Sequence, residues 1–196
     1  KGGIVADAIH SEYPNAKLHV MELDLSEIAS IHAFATAFLA SYDQLDLLIN
    51  NAGVYSNGKD TKTTADGFAL VMGVNHLGHY ALTGLVLDRL LSTPSSRVVT
   101  VTSGAHGGGK IDLDTFHTSE AGEHNAYGDS KLANILFTLE LQCRFELINA
   151  TTISVAASPG ATKSDAVQNL IHSQKNRFMR VAADILTNIV MESSEM

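Results

Sequence analysis

Cysteine is almost absent. Cys143 alone in 196 residues excludes an internal disulfide and any zinc site built from several thiolates. Basic residues are scarce as well, 13 Lys and Arg against 21 Asp and Glu. The resulting net charge of −8 excludes nucleic acid as a default partner, because phosphate binding needs clustered cations. No apolar run approaches the ~20 residues of a membrane-spanning helix, and no signal-peptide pattern opens the chain. Internal repeats, low-complexity tracts and composition breaks are missing too, so one domain over residues 1–196 is expected. With 45% hydrophobic residues, a chain of this length needs neither disulfides nor a structural metal to fold. These absences together predict a globular domain of a reducing compartment, cytoplasmic in location.

What is present is an alternation of two periodicities. Short apolar runs at Lys17–Leu23, Leu45–Ile49, Arg97–Thr102 and Thr151–Ala156 read as near-continuous Val, Ile and Leu. Strands covered on both faces of a parallel sheet look like this. Between the first two, Ser26–Leu39 carries Ile28, Ile31, Phe34, Ala35 and Phe38 as one apolar stripe, with Ser26 as N-cap. Longer helical patterns span about Gly67–Leu91, Ala126–Glu146 and Lys175–Met191, and a first one, carrying Ile4, Ala8 and Ile9, ends at Tyr13-Pro14-Asn15. Repeated strand–helix alternation predicts an α/β fold with a doubly wound, Rossmann-like parallel sheet. The chain opens on Lys1 rather than Met, and 191–196 stop without a helix cap, so a partial sequence is expected.

Each strand-like run ends in small or polar residues: Asp24; Asn50-Asn51-Ala52-Gly53; Ser103-Gly104; and Ser158-Pro159-Gly160. Ligands of open parallel sheets bind beyond the carboxyl ends of the strands. Gly53 and Gly160 permit either a close backbone approach or a positive φ. Taken singly, such residues are ordinary turn formers. Four in register at one sheet edge point to a binding crevice.

The sharpest local pattern is Tyr127-Gly128-Asp129-Ser130-Lys131, early in a helical stretch. Residues i and i+4 share a helix face, so phenol and ammonium are neighbours. A cation beside a phenol favours phenolate, and a phenol so tuned can pass a proton near neutral pH. Leu132, Ile135, Leu136 and Leu139 are expected to form the core face of the same helix, offset from this pair. His76 and His79 also share a helix face, but no carboxylate or cysteine stands nearby at ligand spacing, so no metal site is expected.

In order along the chain, Asn50-Asn51-Ala52-Gly53, Asn75 within Val74–His79, Ser103, Tyr127 with Lys131, and Ser158-Pro159-Gly160 resemble the short-chain dehydrogenase/reductase family. The string 127–137 and the long separation of Ser103 from Tyr127 are similar to its retinol-dehydrogenase-like branch. The resemblance implies hydride transfer between NAD(P)(H) and a small carbonyl/alcohol substrate. It makes Tyr127 the proton donor in reduction and the base in oxidation. Lys131 would tune it and hold the nicotinamide ribose, Ser103 would hold the substrate oxygen, and Asn75 would hold a relay water near Lys131. For the cofactor it implies Asp24 at the adenine amino group, Asn50, Ala52 and Gly53 along the adenosine ribose, and Pro159, Gly160 and Thr162 beside the nicotinamide. The branch often uses NADP(H), which tilts the expectation to NADP over NAD. A homo-oligomer is compatible with the family.

One departure is large. The family opens with a strand, a glycine-rich turn and a helix that seats the pyrophosphate, and no such pattern precedes Lys17. In the strand order 3-2-1-4-5-6, two strands would then be missing between Lys17–Leu23 and Leu45–Ile49. That leaves unpaired backbone groups, so residues 1–196 alone are expected to bind dinucleotide poorly and to be an unstable enzyme. Two other readings compete. An α/β-hydrolase is suggested by His106-Gly107-Gly108-Gly109, but its nucleophile elbow finds only Gly128-Asp129-Ser130-Lys131-Leu132, without the final glycine. A non-catalytic dehydrogenase relative acting as an interaction module is opposed by the intact Ser103, Tyr127 and Lys131.

Overall fold

The computed structural model describes residues 2–55, 62–115 and 125–160. Its centre is a three-stranded parallel sheet, β1 (Leu47–Asn50), β2 (Arg97–Val101) and β3 (Ile153–Ala157), in that spatial order. The register sets Val98 between Leu48 and Ser154, and Asn50 beside Thr100. Helices α1 (Gly2–Glu12) and α2 (Ile28–Ser41) precede the sheet. An interrupted helix links β1 to β2, and a 22-residue helix, α6 (Ala126–Leu147), links β2 to β3. Parallel neighbours joined by helical crossovers are the expected α/β arrangement.

The core lies where α2, the β1–β2 helices and α6 meet one face of the sheet. Ile31, Val86, Leu90, Val98 and Phe145 are buried there. The opposite face is open at Leu47 and Ile49, exposed by 48% and 54%. Strands buried on both faces were expected, so this is a difference. Lys17–Leu23 also departs from expectation: it belongs to no strand, and Leu18 and Val20 are exposed. An extended segment becomes a strand only by pairing, and β1 on its far side pairs with no described segment.

Two helix boundaries also differ. Ser26 does not cap α2; its amide and hydroxyl both bond the Asp24 carboxylate. The α2 N-terminus is met instead from 38 residues away, where Asp66 accepts from the Ile28 amide at 2.9 Å. The expected helix over 67–91 is broken into α3 (Leu70–Met72), a π turn (Gly73–Leu77), α4 (Gly78–Leu85) and α5 (Leu87–Ser92). The π turn closes on a Gly78 amide donating to the Gly73 carbonyl, one residue wider than an α-helical bond. Asn75 sits at its centre. The helix expected at 175–191 lies outside the described residues.

Phe145, 2% exposed on α6, fastens that helix to the core. Phe145→Ala is expected to cost about 3–5 kcal/mol through lost burial and a residual cavity, read as a lower urea midpoint.

Candidate active site

The carboxyl ends of the strands bring their small residues together. At the end of β1 the Asn50 side chain turns inward, 1% exposed, and its Nδ2 donates to Thr83 Oγ1 at 3.0 Å. It therefore holds β1 against α4, and the exposed surface after β1 is the backbone of Asn51, Ala52 and Gly53. A Cβ on Gly53 would lie 3.3 Å from Asn75 Oδ1 and 3.7 Å from Lys131 Nζ. Close approach, not φ, is what requires glycine there. At the end of β3, Gly160 takes φ +72° beside an exposed Pro159, so there the reason is conformational. Thr162 lies outside the described residues.

Asn75 is completely buried, yet its side chain is satisfied on both sides. Oδ1 accepts from the Val54 amide at 2.7 Å, while Nδ2 donates to the Val54 carbonyl and to Ser130 Oγ, each at 3.0 Å. The widened π turn points this amide at the β1 loop. From α6 comes the other half of the site. Asn125 caps the helix by accepting from the Gly128 amide, and one turn in, Lys131 Nζ lies 5.5 Å from the centre of the Tyr127 ring. The i,i+4 neighbourhood read from the sequence is thus formed.

Lys131 is 3% exposed, and burial lowers its pKa from the ordinary lysine value. Its ammonium donates to the Val101 carbonyl at 3.1 Å, an acceptor it shares with Asn134 Nδ2. Ser103, half-buried, follows β2; its Oγ accepts from the Ala105 amide, which leaves its O–H free to donate. The 3₁₀ turn after it (Gly104–Gly108) packs on the start of α6, where a Cβ on Gly128 would stand 2.8 Å from the Ala105 carbonyl oxygen. Asp129 locks that contact by accepting from the Lys110 amide at 2.7 Å. The glycines at 107–109 accordingly close a turn beside Ser103. They open no long helix.

The inner face of α6 overturns one expectation. Leu136 and Leu139 are exposed, by 50% and 59%, whereas Ser130, Lys131, Asn134 and Thr138 are buried. The helix turns its polar stripe inward because the end of β2 meets it there: the Val101 carbonyl accepts from Lys131 and Asn134, and the Thr102 hydroxyl donates to the Lys131 carbonyl. Ser130, 0% exposed inside α6, is no nucleophile elbow. Asp24 stands apart, its carboxylate held below the ordinary carboxylate range by the bonds from the Ser26 hydroxyl and amide.

Three residues at the site were not read from the sequence. Tyr55 packs edge-on against Tyr127, ring centres 5.4 Å apart, and burial raises its pKa above the ordinary phenol value. Ser130 and Asn134 complete the hydrogen bonds of Asn75 and Lys131. Their only signal was position: each shares a helix turn with Lys131.

Behind the site, His79 Nδ1 donates to the Asn75 carbonyl at 3.1 Å and His76 Nδ1 donates to Asn134 Oδ1 at 3.2 Å. Burial lowers the pKa of both. Among the described residues no cluster of three or more His, Cys, Asp or Glu could hold a metal.

Parallel strands, a polar crevice at their carboxyl ends and a buried Tyr–Lys turn define a Rossmann-type α/β protein. A family profile for short chain dehydrogenases matches residues 3–175, and the chain belongs to the short-chain dehydrogenase/reductase family. It is 44% identical over 174 residues to human retinol dehydrogenase 12, covering 86% of this chain and 52% of that protein. With human retinol dehydrogenase 11 it shares 45% over 187 residues, 91% of this chain and 54% of that one. The chain spans about half the length of the curated relatives it matches. A crystal structure from Mycobacterium Paratuberculosis superposes with TM-score 0.69 at 35% identity, over 90% of this chain and 65% of that one. Solved proteins of the same fold include a short chain dehydrogenase complexed with NADP and another with NAD; the family uses either. The expected cytoplasmic location is corrected by these relatives, since retinol dehydrogenases 11 and 12 are membrane-associated. No described helix is long and apolar enough to cross a membrane, which is a statement about those helices alone.

Both buried imidazoles have folded pKa values below the unfolded value near 6.5, so the folded state binds fewer protons there. Their contribution is complete above about pH 6.5 and is lost as pH falls through the folded values. His79→Gln, which can still donate to the Asn75 carbonyl, is expected to reduce the drop in urea midpoint between roughly pH 7.5 and pH 5. An unchanged drop would show that His79 does not titrate on unfolding.

Proposed function

We propose that the chain forms a single dinucleotide-binding domain of an oxidoreductase acting on a carbonyl/alcohol pair, with Tyr127, Lys131, Ser103 and Asn75 as its working residues. The observation that carries this reading is the Tyr127–Lys131 turn, facing the Asn75-anchored loop with the Ser103 turn packed at its start. In reduction, the Tyr127 hydroxyl gives its proton to the carbonyl oxygen as the carbonyl carbon becomes an alcohol carbon; in oxidation, the phenolate takes it back. Ser103 donates to the same oxygen, where negative charge develops. Lys131 sets its ammonium 5.5 Å from the centre of the Tyr127 ring, and Asn75, its side chain taken up by Val54 and Ser130, holds the 53–55 loop beside them.

A nicotinamide cofactor fits the residues present. The Lys131 ammonium has three N–H donors, and one is met by Val101. A Cβ at position 53 would stand 3.7 Å from that nitrogen, so the glycine leaves room beside it for ribose hydroxyls. Ala52 and Gly53, with Asn50 buried behind them, would line the adenosine ribose; the exposed Pro159 and Gly160, with Thr162 assigned by the motif alone, would line the nicotinamide side, and the exposed Asp24 the adenine amino group. When bound, the nicotinamide supplies or accepts the hydride. We favour NADP over NAD on the retinol-dehydrogenase-like string at 127–137. The same string, with the relatives' names, makes retinol and retinal the first substrate pair to assay.

In the full-length protein, Tyr127→Phe is expected to lower kcat by roughly 10²–10⁴-fold with cofactor affinity within about threefold, measured by turnover and by dinucleotide titration. Ser103→Ala should lower kcat by roughly 10²–10³-fold. Retained turnover in Tyr127→Phe would remove Tyr127 as the proton donor.

A further inference from the structure

Ser130 has no part in the chemistry just described, yet its hydroxyl is wholly buried and used twice. It donates to the Tyr127 carbonyl at 2.8 Å and accepts from Asn75 Nδ2 at 3.0 Å. A serine inside a helix that bonds only its own preceding turn does nothing beyond that turn. Here the same oxygen reaches a second element, the π turn. The Asn75 amide continues the path in both directions to the Val54 amide and carbonyl. On either side of Val54 stand the two residues that face the reacting groups. Gly53 approaches Lys131 Nζ, and Tyr55 packs on the Tyr127 ring.

We propose that Ser130 is a positioning residue whose hydroxyl clasps the Asn75 side chain to the first turn of α6 and so fixes the 53–55 loop against Lys131 and Tyr127. The inference rests on the proposed oxidoreductase reading for its effect on turnover, though not for the clasp itself. The reason is directional. A hydroxyl that donates to Tyr127 must present its lone pairs elsewhere, and Asn75 Nδ2 is the donor that meets them. Removing Oγ leaves a buried N–H without an acceptor and frees the amide to turn, so Val54 loses its fixed partners. Displacements of about 1 Å in such a loop reduce turnover by up to roughly 10²-fold.

The test uses the full-length protein with asparagine side chains labelled by ¹⁵N. In wild type the Asn75 side-chain NH₂ is expected to be protected from hydrogen exchange. Ser130→Ala should abolish that protection and lower kcat roughly tenfold to a hundredfold with KM for the carbonyl substrate little changed. In an Asn75→Ala background, Ser130→Ala should cost no more than about twofold, because the path it acts through is already cut. Ser130→Thr, which keeps the hydroxyl, should preserve the Asn75 protection, and it carries the test should Ser130→Ala not fold. Multiplicative losses in the double variant, or an Asn75 amide equally protected with alanine at 130, would overturn the proposal. A wild-type protein with no dehydrogenase turnover would instead sink the functional reading, while the exchange measurement would still decide whether the clasp exists.

Discussion

A buried primary amide has to have its donors and acceptor met inside the protein, and much of this site follows from how Asn75 meets that demand. Its side chain is wholly buried, and Val54 presents both its backbone groups while Ser130 presents its oxygen. Those bonds bind three segments distant in sequence: the loop after β1, the π turn before α4 and the first turn of α6. A regular α-helix would rotate Asn75 to a different direction. The extra residue in the π turn is thus the local irregularity through which the strand ends and the Tyr–Lys helix share one geometry.

The electrostatics rest on the same packing. Burying the Lys131 ammonium is costly, and the surrounding backbone offsets the cost with a carbonyl at the end of β2. Asn134, bonded to the same carbonyl, and His76, donating to Asn134, extend the polar stripe away from solvent. The first half of α6 therefore has a largely polar inner face, with Leu136 and Leu139 outside, while Leu141 and Phe145 join the core further along.

The sheet places these groups but is itself open. Among the described residues β1 has a partner on one side only, and Leu47 and Ile49 face outward. Within the family's strand order, β1 to β3 correspond to three adjacent strands, and the site is built at their carboxyl ends. The groups around Tyr127 and Lys131 come from the carboxyl ends of β1 and β2 and from α6, whereas the Asp24 carboxylate bonds Ser26.

The sequence by itself determined the class of fold, the strands 47–50, 97–101 and 153–157 to within a few residues, and the Tyr127–Lys131 neighbourhood. Each rests on local rules: period of hydrophobicity, turn chemistry, and the i,i+4 spacing of a helix. Its errors were those of partnership. Whether Lys17–Leu23 is a strand depends on a neighbour to pair with, and whether Ser26 caps α2 depended on Asp24 and on Asp66 from beyond the helix. Which face of α6 is buried depended on the Val101 carbonyl that β2 turns toward it, and no periodicity in residues 126–147 records it. Tyr55, Ser130 and Asn134 became visible only when tertiary structure joined loop, π turn and helix, because a hydrogen bond across 55 residues of chain leaves no local mark in the sequence of either partner.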